Sequence, residues 1–156
     1  PKHPQRVAVE TCPKGAVLVI DSRKNSRAAS AGSILASRLM VRGAAGIVTD
    51  GGFRDSAEIA KLNMPSYHHR ASAPTNLTLH QAMDINVPIG CGDVAVFPGD
   101  VIVGDDDGVM VIPAHLADEI AEEAINPLPR KKIEKHLSSG KNNKRVQRRK
   151  NNKWPV

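Results

Sequence analysis

Residues 16–20 (AVLVI) form an unbroken apolar run that stops at Asp21, the pattern of a short buried strand. A polar stretch follows from Ser22 to Arg27. In residues 32–42 (GSILASRLMVR) the apolar positions Ile34, Leu35, Leu39 and Met40 recur at near-helical spacing, and Gly43 stands where such a helix ends. Residues 46–50 (GIVTD) predict a second strand. Strand, helix and strand within about 35 residues predict a βαβ unit. Gly51-Gly52 then reads as a tight turn, and Arg54 to Ile59 as the opening of a short helix.

The pattern changes after Pro65. Short β-prone runs at Asn86–Ile89, Val94–Phe97, Val101–Val103 and Val109–Ile112 are separated by Gly90-Cys91-Gly92-Asp93, Pro98-Gly99-Asp100 and Gly104-Asp105-Asp106-Asp107-Gly108. Such close spacing predicts a β-meander or barrel-like layer. Residues 114–124 (AHLADEIAEEA) predict an amphipathic helix with Leu116 and Ile120 on one face. From Asn126 the pattern fails, with Pro127 and Pro129 breaking any helix. The predicted fold class is α/β with a mixed sheet, one domain over residues 1–125 followed by a tail over 126–156.

Charge sharpens that division. The 156 residues carry 22 Lys+Arg against 16 Asp+Glu, a formal +6. Residues 130–156 hold 11 of the basic residues and one acid, Glu134, so the tail carries +10 and residues 1–129 carry −4. The tail has too little apolar content to offset chain entropy and is expected to be disordered. With aromatics at 3%, the core must come from Val, Ile, Leu and Ala. No apolar run approaches the ~20 residues of a membrane helix. The start at Pro1 shows no apolar leader and, lacking Met, reads as a fragment boundary. Cys12 and Cys91 form neither a CxxC pair nor a disulfide framework, so a reduced, cytoplasmic setting is expected.

The segment from Gly32 to Glu58 holds the candidate chemistry. A helix starting at Gly32 offers free N–H groups and partial positive charge to an anion, and glycine lets a ligand approach the backbone. Arg54 follows the second strand at its carboxyl end, where α/β sheets bind ligands, and a guanidinium there can grip a carboxylate. Asp55 is a hard oxygen ligand suited to Mg²⁺, and Glu58, one helical turn on, could orient a metal-bound water. On spacing alone, these three also fit an ordinary helix start, where acids are favoured.

Three stretches carry a resemblance: residues 31–55 (AGSILASRLMVRGAAGIVTDGGFRD), 73–113 and 115–124. With Gly32 spaced ahead of Arg54-Asp55-x-x-Glu58, the sequence resembles the regulator of ribonuclease activity A family, which includes 4-hydroxy-4-methyl-2-oxoglutarate aldolases. The resemblance implies a swivelling β/β/α-type domain, assembled as a homotrimer or a dimer of trimers with sites between subunits. It implies a divalent-metal-dependent class II aldolase or decarboxylase that cleaves 4-hydroxy-4-methyl-2-oxoglutarate or oxaloacetate through a pyruvate enolate. On that basis the backbone of Gly32, Ser33, Ile34 and Leu35 binds the 2-oxo acid, Arg54 binds and polarises its pyruvyl group, and Asp55 ligates Mg²⁺ or Mn²⁺. The alternatives are a non-catalytic regulator that binds ribonuclease E or RNA, and an inactive truncated paralogue. Three features depart from the family: Ser33 replaces an acidic residue, the segment before the first strand is short, and the last helix gives way to Ile125-Asn126-Pro127-Leu128-Pro129.

Other candidates read as structural. Asp105-Asp106-Asp107-Gly108 precedes a strand, not the remainder of a calcium loop, and is expected to be a turn. Adjacent His68 and His69 would face opposite ways on a strand. Cys91 is expected to be a buried thiol, and Ser72 and Thr75 ordinary loop residues. The tail offers a charged surface for RNA, with Trp154 its one aromatic, or is a solubilising or non-native end.

Overall fold

The computed structural model describes residues 3–125, so the basic tail lies outside the described residues. The chain divides at Ala114/His115 into two compact units.

In the first unit, helix α1 (Pro4–Thr11) precedes strand β1 (Val17–Ile20). Pro4 sits in its first turn, where the missing N–H costs nothing. This helix escaped the sequence pattern because Val7 and Val9 are its only large apolar residues; Val9 reaches the core. Next come β2 (Ala29–Ala31), α2 (Ser33–Val41), β3 (Gly46–Thr49), β4 (Gly52–Phe53), α3 (Ser56–Ile59), β5 (Ser66–Tyr67) and β6 (Arg70–Ala71). The predicted βαβ unit is present: β1 and β3 pair in parallel on either side of α2 in the sequence, with Val17 opposite Gly46.

Three successive passes of the chain each contribute to two parallel sheets. One sheet has the order β1-β3-β5 and the other β2-β4-β6. Because β1 lies at an edge, its four residues are half-buried rather than buried. Helix α2 ends as predicted: Gly43 takes φ +85°, its N–H donates to Met40 O and that of Ala44 to Leu39 O, satisfying the last carbonyls. The core packs Ala36 and Leu39 of α2 against Ile47, Phe53, Ile59 and Met64.

Gly51-Gly52 is not a tight turn. Gly52 belongs to β4, and neither glycine needs a left-handed backbone. They are glycines because the chain passes through a crowded crossing. A Cβ on Gly51 would lie 2.3 Å from Ser30 Oγ and 2.7 Å from Ser22 Cβ, and one on Gly52 2.7 Å from Ser72 Cβ. At this crossing three buried hydroxyls satisfy one another: Ser22 Oγ and Ser30 Oγ are 2.6 Å apart, and Thr49 Oγ1 donates to Ser30 Oγ at 3.0 Å.

After β6 the chain forms two hairpins. Strands β7 (Ile89–Cys91) and β8 (Val94–Val96) pair antiparallel, as do β9 (Val101–Asp105) and β10 (Gly108–Ile112). They are separate two-stranded sheets, so the predicted meander or barrel-like layer does not form. The first strand starts three residues later than the Asn86 expected, with Asn86 in a left-handed conformation that suits a bend. Asp105 Oδ1 accepts from Asp107 N and Gly108 N, making the aspartate run a hairpin turn as expected.

A short 3₁₀ turn (Ala114–Leu116) spans the division, and in the second unit α4 (Ala117–Ile125) carries Asp118 and Glu119 in its first turn. No helix among the described residues is long and apolar enough to cross a membrane.

Candidate functional site around Arg54

Side chains alternate along a strand, so burying Phe53 turns Arg54 the other way. Phe53 is fully buried and stacks on His68, with ring centroids 4.8 Å apart. Arg54 N donates to Ala31 O at 2.9 Å, extending the ladder between β4 and β2. That bond sets Arg54 beside the start of α2, which follows β2 directly.

Asp55 takes a left-handed backbone (φ 56°, ψ 36°) as the cap of α3, and its carbonyl accepts from Glu58 N and Ile59 N. Its carboxylate turns toward α2. Ser33 donates to Asp55 Oδ2 through its backbone N–H (3.3 Å) and its hydroxyl (3.0 Å), and Arg54 Nε lies 3.6 Å from the same oxygen. The Ser33 hydroxyl bond, then the Ser33 N–H, and less strongly the Arg54 charge, hold the Asp55 carboxyl below the usual carboxylate range. A Cβ on Gly32 would lie 3.2 Å from Asp55 Oδ2 and 3.5 Å from Arg54 Nε, so glycine keeps this cradle open.

A depression of about 90 Å³ opens beside this cluster, lined by Ala29, Ala31, Gly32, Ile34, Leu35, Arg54, Thr75 and Asn76. Four of the residues singled out in the sequence therefore line one concavity. Ile34, one of the apolar positions at near-helical spacing, is 79% exposed. Ser33 and Asp55 close the helix start beside the depression. The Glu58 side chain instead pairs with Lys61, its Oε1 2.9 Å from Nζ on the surface of α3. Thr75 and Asn76 were not read as site residues, because nothing in a polar loop sequence marks which loop residues meet a helix start far earlier in the chain.

The donor set bears on metals. Among the described residues no three His, Cys, Asp or Glu side chains gather at a metal-binding distance. A fully protein-coordinated zinc-type centre does not fit that donor set. Asp55 alone would suit a cation that keeps most of its water and takes one carboxylate.

The family described as Aldolase/RraA matches residues 2–111. This chain belongs to the RraA-like family. A Halalkalibacterium halodurans protein named "Putative 4-hydroxy-4-methyl-2-oxoglutarate aldolase" is 39% identical over 114 residues, covering 70% of this chain and 52% of that protein. An identically named Ectopseudomonas mendocina protein is 35% identical over 67% of this chain and 64% of its own length. The chain thus spans only about half to two thirds of these curated relatives. Among solved structures, Streptomyces coelicolor RraAS2, described as an unusual member of the RNase ES inhibitor RraA protein family, superposes with TM-score 0.72 at 30% identity, covering 79% of this chain and 63% of that one. The RNA-processing inhibitor RraA from Thermus thermophilis gives 0.53 at 28% identity, covering 70% of this chain and 67% of that one. The α/β fold with its mixed parallel and antiparallel sheets is the fold of these RraA proteins.

Proposed function

We propose that this RraA-like chain is a lyase that cleaves 2-oxo acids of the 4-hydroxy-4-methyl-2-oxoglutarate or oxaloacetate type to release pyruvate. The carrying observation is the small depression that Gly32, Ile34, Leu35 and Arg54 line together beside Asp55. The aldolase names of its relatives support the reaction class.

In this reading the Arg54 guanidinium pairs with the pyruvyl carboxylate, and the N–H groups of Ile34 and Leu35, in the first turn of α2, turn partial positive charge toward the same end. The bond between the carbon α to the oxo group and the next (β) carbon breaks, and its electron pair forms the enolate of pyruvate; the β half leaves as a second pyruvate as its hydroxyl gives up a proton, or as CO2 from oxaloacetate. A proton added at carbon then gives pyruvate. Arg54 lies where negative charge grows and stabilises it without reorganising. Asp55 would hold Mg²⁺ or Mn²⁺, which supplies Lewis-acid charge at the enolate oxygen when bound. Ser33, by donating twice to Oδ2, keeps Asp55 ionised and fixed. Assembly as a homotrimer or dimer of trimers belongs to the proposal, supported by apolar surface left bare at Phe97, Val103 and Met110.

A second reading is a regulator that binds a ribonuclease without catalysis, favoured by the likeness to the two RraA inhibitors. Pyruvate release, followed with Mg²⁺ and then with excess chelator, separates the two. The lyase reading expects turnover that the chelator abolishes; no pyruvate from either acid would leave the regulator.

A further inference from the structure

The wall of the depression contributed by Thr75 and Asn76 opens a 3₁₀ turn (Asn76–Thr78) held by several hydrogen bonds. Ala29 N donates to Pro74 O at 2.8 Å, Thr78 Oγ1 to Thr75 O at 2.7 Å and His80 N to Asn76 O at 2.7 Å. The Asn76 side chain is tied as well, through a relay that begins on α1. Gln5 Nε2 donates to the carbonyl of Ser30, and Asn76 Nδ2 donates to Gln5 Oε1 at 2.6 Å.

This relay fixes the orientation of both amides. A backbone carbonyl only accepts, so the Gln5 group facing Ser30 O must be the nitrogen. Its oxygen then faces Asn76, whose own group there must be its nitrogen. Asn76 Oδ1 is left as the acceptor end of the side chain, on a residue that lines the depression. Arg54 is the sole charged residue of that lining. The concavity therefore brings together a cation suited to one carboxylate and a residue whose remaining amide end, the Oδ1 acceptor, suits a hydroxyl.

We propose that Asn76, held by Gln5, is a specificity-determining residue that accepts a hydrogen bond from a hydroxyl on the leaving half of the 2-oxo acid. The assignment rests on the lyase reading above and names its preferred substrate class: 4-hydroxy-2-oxo acids over oxaloacetate, which has no such hydroxyl. Gln5 is a positioning residue that acts through Asn76.

The test is the ratio of kcat/KM for 4-hydroxy-4-methyl-2-oxoglutarate to that for oxaloacetate. A ratio within one protein sample cancels any loss of folded molecules. Asn76→Ala should lower the ratio about tenfold or more, the usual effect of deleting one hydrogen bond in a discriminating site. Gln5→Met, which frees the amide to rotate, should lower it in the same direction by less. A ratio unmoved by Asn76→Ala in an active protein overturns this assignment and leaves the lyase reading standing. A wild-type chain that releases pyruvate from neither acid overturns both.

Discussion

The crossing of the two parallel sheets and the pair of hairpins that follow it are built on opposite terms. Among the described residues, every buried apolar side chain but one lies at or before Met64; the hairpins contribute only Val96. The hairpins are patterned correctly as strands, yet one face of β9–β10 goes uncovered. Val103 pairs with Met110 across that hairpin, and the two are 51% and 70% exposed. The opposite face meets the first sheet, where a Cβ on Gly104 would lie 2.7 Å from the Tyr67 ring. The site sits with the region that has its own core. Arg54 and Asp55 follow the fully buried Phe53, so the rigidity they need is supplied locally.

The comparison can be broken most directly at its two extremes. Phe53→Ala removes a fully buried ring from beneath Arg54 and should cost about 3–5 kcal/mol in urea unfolding. Met110→Ala, on the bare hairpin face, should stay within about 0.5 kcal/mol as long as the chain is a monomer. Equal losses would mean that the hairpins are as tightly packed as the crossing. Gly51→Ala comes next. Its new methyl would press on Ser22 and Ser30, and overpacking of this kind costs about 1–3 kcal/mol.

Smaller effects sharpen the picture at the site and at the seam. Ser33→Ala deletes the main cause of the lowered Asp55 pKa, so carboxyl NMR titration should find Asp55 nearer the ordinary value. The sign follows from the depressed folded pKa. The ionised Asp55 contributes stability above the ordinary carboxylate pKa, and that contribution is lost as pH falls through the lowered one. An unchanged titration would remove Ser33 from the account. Cys91 marks the seam, its Sγ 3.7 Å from Ile20 O. Burial, and then the nearby Asp50 charge, push its thiol up to about 11. Because the neutral form is favoured in the fold, that contribution holds below the ordinary thiol pKa and is lost as pH rises through about 11. Alkylation of Cys91 should therefore be slow at pH 8 and speed up when β7–β8 opens. Fast labelling at pH 8 in the folded protein would show the seam to be loose.

What the sequence revealed follows the same division. The βαβ unit was legible because Leu35, Leu39 and Met40 keep helical spacing and Gly43 closes the helix with the conformation that residue allows. The site was legible in part because Gly32, Arg54 and Asp55 carry chemistry that short-range spacing brings near a helix start. Strands β2, β4, β5 and β6 were not, since two- and three-residue strands show no periodicity. The role of Gly51-Gly52 was misread for a related reason: a glycine required by crowding from Ser22, Ser30 and Ser72 looks, in one dimension, like a glycine required by a turn. Thr75 and Asn76 escaped because their place is set by long-range bonds, Asn76 to Gln5 and the preceding Pro74 to Ala29, which local sequence does not encode.

The central claim is that Arg54 forms the substrate-binding end of a pyruvate-releasing site. The most direct measurement is Mg²⁺-dependent pyruvate release by wild type and by Arg54→Ala, each first shown by urea unfolding to have the same midpoint. The account predicts a loss of at least about a hundredfold in kcat/KM with the fold intact, the scale seen when one group that stabilises a developing oxyanion is removed. Equal release by the two proteins would contradict it.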